Sequence, residues 1–247
     1  MEHLKFMALP ILRHMAKWAW LTLMPVVVVA VCMGAEKAEV SPLKKVQLSL
    51  PSLTGQVSLE QALAKRRSVR RFTNQPISFE QIGQLAWAGQ GITEPKRGFR
   101  TAPSAGAIYP VKLYFATQQG LFVYNPAEHS LERTLNRDIR AALATAALGQ
   151  QTVADAACDI IIAGSQKKLA AKYRDRAKRY MLLEAGHIAQ NIQLQVVCLG
   201  LGAVPVGAFD INQVRKLCSL PRDLEPLLII PVGHLAEQKI VKKDITR

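Results

Sequence analysis

Arg66-Arg67-Ser68-Val69-Arg70-Arg71-Phe72 is answered about thirty residues later by Ala102-Pro103-Ser104-Ala105-Gly106-Ala107-Ile108-Tyr109-Pro110. In the first stretch, four guanidinium groups surround a serine hydroxyl. Guanidinium offers forked, permanently charged donors that suit a terminal phosphate. The second stretch is built of small residues, which let backbone N–H and C=O groups come close to a flat ring. The competing reading of the arginines is a helix end whose cations satisfy the last carbonyls, and both readings can hold at once.

The surrounding pattern places these stretches between regular elements. Ser58 with Gln61 spells a capping box that opens a helix running to about Arg67. Ser78 with Gln81 repeats the device before Ile82, Leu85 and Ala86, with Gly89 and Gly91 closing that helix. The first helix delivers its arginines near its C-terminal end, where the macrodipole repels anions, so side chains must supply any attraction for phosphate. Residues 93–100 read as a polar loop. Residues 111–117 and 121–124 read as paired strands around Gln118-Gln119-Gly120, 138–148 as an alanine-rich helix and 159–163 as a buried strand. Residues 166–199 read as one long helix ended by Gly200 and Gly202, followed by a short helix at 211–218 and an apolar run at 227–232. Strands and helices mix without regular βαβ alternation, and Gly200-Leu201-Gly202 ends a helix instead of opening one. A tightly held dinucleotide on a doubly wound sheet is therefore not expected.

Three groups of residues carry a resemblance. Arg66-x-Ser68-x-Arg70-x-Phe72, Pro103-Ser104 with Pro110, and Leu199-Gly200-Leu201-Gly202-Ala203-Val204-Pro205-Val206-Gly207 resemble the nitroreductase-like FMN-dependent oxidoreductases. Ser104-Ala105-Gly106-Ala107-Ile108-Tyr109-Pro110 and Glu184-Ala185-Gly186-His187-Ile188-Ala189-Gln190-Asn191 are similar to that superfamily's SagB-type dehydrogenase branch, which includes azoline-oxidising enzymes. The likeness covers residues 58–235, with the motifs in the family's order. It implies an α+β domain of three α/β/α layers, with a mixed, mainly antiparallel central sheet and a long central helix.

The resemblance also implies a homodimer with FMN at the subunit interface, each flavin touched by both chains. Arg66, Ser68 and Arg70 would hold the phosphate and ribityl chain, with Arg67 an adjacent candidate. Pro103, Ser104 and Gly106 would line the isoalloxazine. Pro205, Val206 and Gly207 would meet it near N5 and O4, where the Gly207 backbone N–H stabilises the reduced ring. Lys242 and Lys243 are candidates to reach the phosphate from the tail. Two departures stand out: Ala107 where many nitroreductases carry asparagine, and Gly207-Ala208 where many carry Glu-Gly. These leave backbone contacts to flavin in place and weaken any transfer of nitro-compound preference. The implied reaction is a ping-pong hydride transfer through flavin N5, with NAD(P)H as one option for the donor and a small-molecule substrate.

On the long helix, Tyr180, Glu184, His187 and Asn191 fall at spacings of four, three and four, which puts them on one face. Glu184-x-x-His187 has the spacing of a di-iron ligand pair, but no second such pair exists in the chain, so no metal is expected. The stripe reads chiefly as a hydrogen-bonded lock against a neighbouring element or a twin subunit. Tyr180 is a candidate proton donor.

Composition sets the outer limits. With 247 residues and 49% hydrophobic content the chain can bury one sizeable core. A net charge of +14 favours anionic ligands or surfaces. The basic residues are spread along the chain without aromatic interleaving or zinc-finger spacing, so no nucleic-acid partner is expected. Lys5, Arg13 and Lys17 precede an uncharged run at residues 18–35 that ends in Gly34-Ala35. The run reads as an export signal, with a membrane anchor and membrane association as the alternative. The expected organisation is a leader at 1–35, an extended lead-in at 36–57 with little regular structure, and the FMN-binding domain at 58–247. That places the enzyme in the periplasm or cell envelope, in tension with a pyridine-nucleotide donor. Cys158, Cys198 and Cys218 lie in apolar stretches and read as small hydrophobes without disulfides. Two other classes stay open at this stage: a flavin-binding protein without turnover, and a basic protein bound to membrane or polyanion.

Overall fold

The computed structural model describes residues 45–236. The leader at 1–35, the start of the lead-in, and Lys242 and Lys243 lie outside the described residues. No helix among the described residues is long and apolar enough to cross a membrane.

In chain order the elements are β1 (Lys45–Gln47), α1 (Leu59–Lys65), α2 (Phe79–Gln90), β2 (Ile92–Glu94), β3 (Phe99–Arg100), β4 (Val111–Thr117), β5 (Gly120–Asn125), β6 (Ser130–Leu135), α3 (Arg140–Ala146), α4 (Gln151–Ala154), β7 (Cys158–Gly164), α5 (Gln166–Tyr173), α6 (Ala177–Cys198), β8 (Leu201–Ala203), α7 (Ile211–Leu217) and β9 (Glu225–His234). Seven strands form one sheet in the order β1-β6-β5-β4-β7-β9-β8, while β2 and β3 form a separate hairpin.

β7 lies inside this sheet, between β4 and β9, and is buried along its whole length. Its side chains alternate between two cores. Ile160 and Ile162 pack with Leu113, Phe115 and Ile230 against Ile82 and Leu85 of α2 and Ile188 and Ile192 of α6. Ile161 and Ala163 pack with Tyr114, Ala116 and Ile229 against Leu143 of α3, Val153 of α4 and Val214 of α7. A strand buried on both faces needs a layer on each side, and this is why the domain has three layers. Each large apolar side chain taken fully out of water in these cores contributes about 1.5–3 kcal/mol.

Neighbouring strands of the sheet are antiparallel throughout. The expected mixed sheet is thus antiparallel in its strands, and a parallel pairing occurs as the isolated bridge Ser68 to Ala203 at the β8 edge.

Both predicted N-caps form. Ser78 makes the full capping box with Gln81, and Ser58 accepts the Gln61 N–H at 3.2 Å. Gly89 lets α2 approach β4 and α6 closely: a Cβ there would lie 2.9 Å from Leu113 Cδ1 and 3.1 Å from Ile192 Cδ1.

Four expectations change. The polar loop at 93–100 contains the β2–β3 hairpin, with Ile92 opposite Arg100. The lead-in carries β1, whose Val46 pairs with Leu131 of β6. Neither β6 nor the four-residue α4 has a strong local signal, because charged residues dilute the first and the second is one turn long. The helix expected at 166–199 breaks at Arg174, which has φ 48° and ψ −120° and caps α5. A 3₁₀ turn at Arg174–Arg176 then leads into α6.

Candidate active site

The arginine strip owes its position to two glycines. After α1 ends, the Val69 N–H donates to the Ala203 carbonyl at 2.9 Å and the Thr73 N–H to that of His234 at 2.9 Å. A Cβ at Gly202 would lie 2.7 Å from Val69 Cγ1, and one at Gly233 would lie 2.8 Å from Phe72 Cγ. Only bare Cα atoms on β8 and β9 admit Val69 and Phe72 this closely. With those two side chains turned inward, Arg67, Ser68, Arg70 and Arg71 stand exposed and Arg66 half-buried. Arg67 Nη1 donates to the carbonyls of Ala64 at 3.0 Å and Arg66 at 2.8 Å. The helix-end reading therefore holds for Arg67. A cleft of about 340 Å³ opens beside the strip, lined by Arg66, Arg67, Val69, Gly200, Gly202 and Val196 among others.

The second strip lies against the first. Val206 exchanges hydrogen bonds with Ile229, N–H to O at 2.7 Å and the return at 3.0 Å. Val206 is thereby buried, and Pro205 and Gly207 on either side of it are exposed. Gly207 has open space at its Cα, the nearest neighbour of a Cβ there being Leu228 at 4.0 Å. The α3–α4 segment stitches the strips together: Thr152 Oγ1 donates to the Arg70 carbonyl at 3.2 Å, and Gln150 Nε2 donates to those of Ala147 and Ala208.

The loop at 103–110 is built differently. Gly106, Ala107 and Tyr109 all have left-handed backbone, with φ of 63°, 52° and 50°. Two of the three carry a Cβ, and such residues cost about 1–3 kcal/mol each unless the surroundings fix them. A closed ring of hydrogen bonds does so. Ser104 Oγ donates to Glu184 Oε2 at 2.5 Å and accepts the Tyr109 N–H at 2.9 Å. The Arg100 N–H donates to Tyr109 Oη at 3.1 Å, Arg100 Nη1 donates to Gln90 Oε1 at 2.7 Å, and Gln90 Nε2 returns to Glu184 Oε1 at 3.2 Å. The Arg100 guanidinium also covers the Tyr109 ring, 4.4 Å from its centroid. Burial raises the Glu184 pKa above its ordinary value, against the opposing pull of Ser104, Gln90, the Val111 backbone and Arg100. Burial likewise lowers that of Arg100.

The α6 stripe thus divides. Glu184 is buried and locks α6 to α2 and to the loop. Asn191 Nδ2 donates to the Thr101 carbonyl at 3.3 Å, whereas His187, on the same stripe, is exposed. Tyr180 packs edge-on against Tyr173, with centroids 4.9 Å apart. Tyr173 is the residue at the loop: a Cβ on Gly106 would lie 2.7 Å from Tyr173 Oη and 2.9 Å from Lys172 Nζ. The sequence reading passed over Lys172 and Tyr173, which look like part of a helical charge run and become site residues because α5 stops at Arg174. Pro103 is exposed beside Ser104.

The structure brings residues 66–70 and 203–208 together. In the sheet, β4, which the 103–110 loop feeds, is separated from β8 by β7 and β9, a lateral offset of about 14 Å at the usual strand spacing. A cavity of about 460 Å³ opens between residues 73–79, the β4–β5 turn and Arg140, and contains none of the nominated residues.

Comparison with known proteins adds a family. The model of the Nitroreductase family matches residues 63–234. A candidate nitroreductase of Methanocaldococcus jannaschii is 38% identical over 197 residues, covering 77% of this chain and 98% of that protein. The crystal structure of a candidate nitroreductase from Ralstonia eutropha superposes with a TM-score of 0.72 at 29% identity, over 78% of this chain and 90% of that one. An NADPH:FMN oxidoreductase from Vibrio harveyi, solved with NAD+, shares the fold, with a TM-score of 0.55 at 23% identity over 72% and 69% of the two chains.

Proposed function

This chain belongs to the nitroreductase family of oxidoreductases, and from that premise we propose that it is an FMN-dependent enzyme of the SagB-type dehydrogenase branch, working as a homodimer. The observation that carries the reading is the Ser68–Ala203 bridge. It sets Arg66, Ser68 and Arg70 beside Pro205, Val206 and Gly207, segments about 135 residues apart in the chain. Exposed guanidinium and hydroxyl groups next to a bare, open glycine Cα fit a phosphate at one end and a flat ring at the other. Bound FMN would supply hydride transfer at N5, in a ping-pong cycle in which donor and acceptor use the same pocket in turn.

The chain's own residues do the rest. Arg66 and Arg70 bind the phosphate, with the Ser68 hydroxyl as a further donor. Gly207 presents its backbone to the ring. The 103–106 loop covers the ring, and Lys172 and Tyr173, which meet at Gly106, are the groups there able to give or take a proton. The 14 Å offset supports a site in which this loop comes from the second subunit. Leu59 and Leu63 on α1 and Leu182 and Leu183 on α6 are exposed, and they supply apolar surface for such a pairing. The SagB-type assignment gains support from the Ser104–Glu184 hydrogen bond, which joins the two motifs that carry that likeness. For location we propose the cell envelope, on the sequence of residues 1–35 alone.

The test is anaerobic mixing of the full chain, supplied with FMN, with NADPH and NADH in turn. The reading predicts bleaching of the visible flavin band by a donor, recovery on adding a quinone or oxygen, and parallel double-reciprocal plots. Bound flavin that stays oxidised with every donor would leave a silent binder. A chain that takes up no flavin would overturn the assignment.

A further inference from the structure

Behind the 103–110 loop lies a cavity of about 110 Å³ that the flavin reading does not use. Its walls come from α2, β3, β4, β5, α5 and the loop itself and include Arg100, Lys112, Lys168, Gln90, Tyr109 and Tyr124, with no carboxylate among the lining residues. Three cations around one small space make it attractive to an anion.

Arg100 makes the ligand class specific. Its Nη1 is committed to Gln90, and its face to the Tyr109 ring. Its Nε–H is buried and has no acceptor among the described residues. A buried N–H without a partner is a standing penalty, which an arriving acceptor relieves against the cost of its own desolvation. With Nη1 occupied, the remaining edge of the guanidinium is the side-on fork of Nε and Nη2, which matches two oxygens of a carboxylate or phosphate. Two carboxylates in the neighbourhood do not supply it: Glu184, which acts on Arg100 through its charge, is hydrogen-bonded to Gln90 in between, and Asp223 is held by Ser165 Oγ at 2.9 Å.

We propose that this cavity is a binding site for a small oxyanion, a carboxylate or phosphate group, held by the side-on fork of Arg100 with Lys112 and Lys168. The site is fixed relative to the flavin loop. The Ser165 N–H donates to the Pro110 carbonyl at 3.1 Å, and Ser165 caps α5. Lys168 and Lys172 are four residues apart on α5 and so share a face, one turn from each other. An anion on Lys168 therefore sits one helical turn from the Lys172–Gly106 contact, which suits the acidic end of a substrate as well as a free ion. The site shares no residue with the Arg66–Arg70 strip, and so it stands or falls independently of the flavin assignment.

The experiment is calorimetric titration of the full chain carrying Arg66→Ala and Arg70→Ala with inorganic phosphate at constant ionic strength, which removes the other cationic strip from the signal. One saturable site is expected. Lys112→Gln with Lys168→Gln, both exposed positions, weakens it at least tenfold, and so does Arg100→Gln. If Arg100→Gln does not fold, the lysine pair decides. Acetate as competitor separates the sources: displacement of phosphate by acetate marks a general carboxylate anchor, and its failure marks a phosphate site. Absence of saturable binding in the Arg66→Ala, Arg70→Ala chain, or binding that the lysine pair leaves unchanged, would overturn the proposal.

Discussion

Residues 66–70 and residues 103–109 are both short irregular segments, and both were nominated as halves of one site. They are held in opposite ways. The first is fixed by its backbone: Val69 and Thr73 donate to strand-edge carbonyls, and two glycines admit Val69 and Phe72. Its polar side chains, apart from Arg67, are left facing outward. The second has little sheet to lean on and is fixed by side chains, with Ser104, Tyr109, Arg100, Gln90 and Glu184 closing a ring. The first segment can therefore spend its side chains on a ligand at little cost to stability. In the second, binding and folding are the same interactions.

The largest effect that sharpens this contrast comes from Arg66→Ala with Arg70→Ala. Two charge-assisted contacts to phosphate are worth about 1.5–3 kcal/mol each, so FMN affinity should fall at least ~100-fold. Because these side chains are not part of the packing, Tm should stay within about 2 °C. Flavin fluorescence quenching and calorimetry read the two quantities. A large loss of Tm with unchanged affinity would reverse the roles assigned to the segments.

Glu184→Leu tests the other side. It removes the acceptor of both the Ser104 hydroxyl and the Gln90 amide, and about 3 kcal/mol of stability should go with it. For a domain of this size that is a fall in Tm of roughly 6–12 °C. A change under 2 °C would mean that the ring does not hold the loop.

Next in size is Gly106→Ala. Its left-handed φ costs an L-residue about 1–2 kcal/mol, and the new methyl displaces the flexible ends of Tyr173 and Lys172. Thermal melts should show the loss, and wild-type stability would argue that the loop relaxes freely.

A pH series sharpens the comparison further. The folded pKa of Glu184 is raised above its ordinary 4.5, so the folded protein binds that proton more tightly than the unfolded chain does. The associated stability is complete below pH 4.5 and is lost as pH climbs through the folded pKa. Glu184→Gln lacks this step. The Tm of the wild type relative to Glu184→Gln should therefore decline from pH 4 to pH 8, and a difference that grows with pH would contradict the burial argument. Smallest of all, Ala107→Gly should be neutral to about 1 kcal/mol stabilising, since relief of the left-handed strain is partly offset by the added freedom of the unfolded chain.

What the sequence disclosed divides along the same line. The helix caps at Ser58 and Ser78, the strands at 111–117 and 159–163 and the arginine strip were legible because each rests on residues close together in the chain. The ring was not, because Ser104 and Glu184 are 80 residues apart and Gln90 and Glu184 are 94 apart. Glu184 was visible as a polar residue needing a partner, but its partner was not. The break at Arg174 has neither Gly nor Pro to announce it, and with it Lys172 and Tyr173 were missed in favour of Tyr180. β6 was lost because Glu132 and Arg133 interrupt its alternation.

The most direct test of the account is a paired titration of the full chain with FMN and with riboflavin, which differ by the phosphate alone. If residues 66–70 hold that phosphate, FMN saturates one site per chain and binds at least ~100-fold more tightly than riboflavin. Equal affinity for the two, or no saturable binding of FMN, would contradict it.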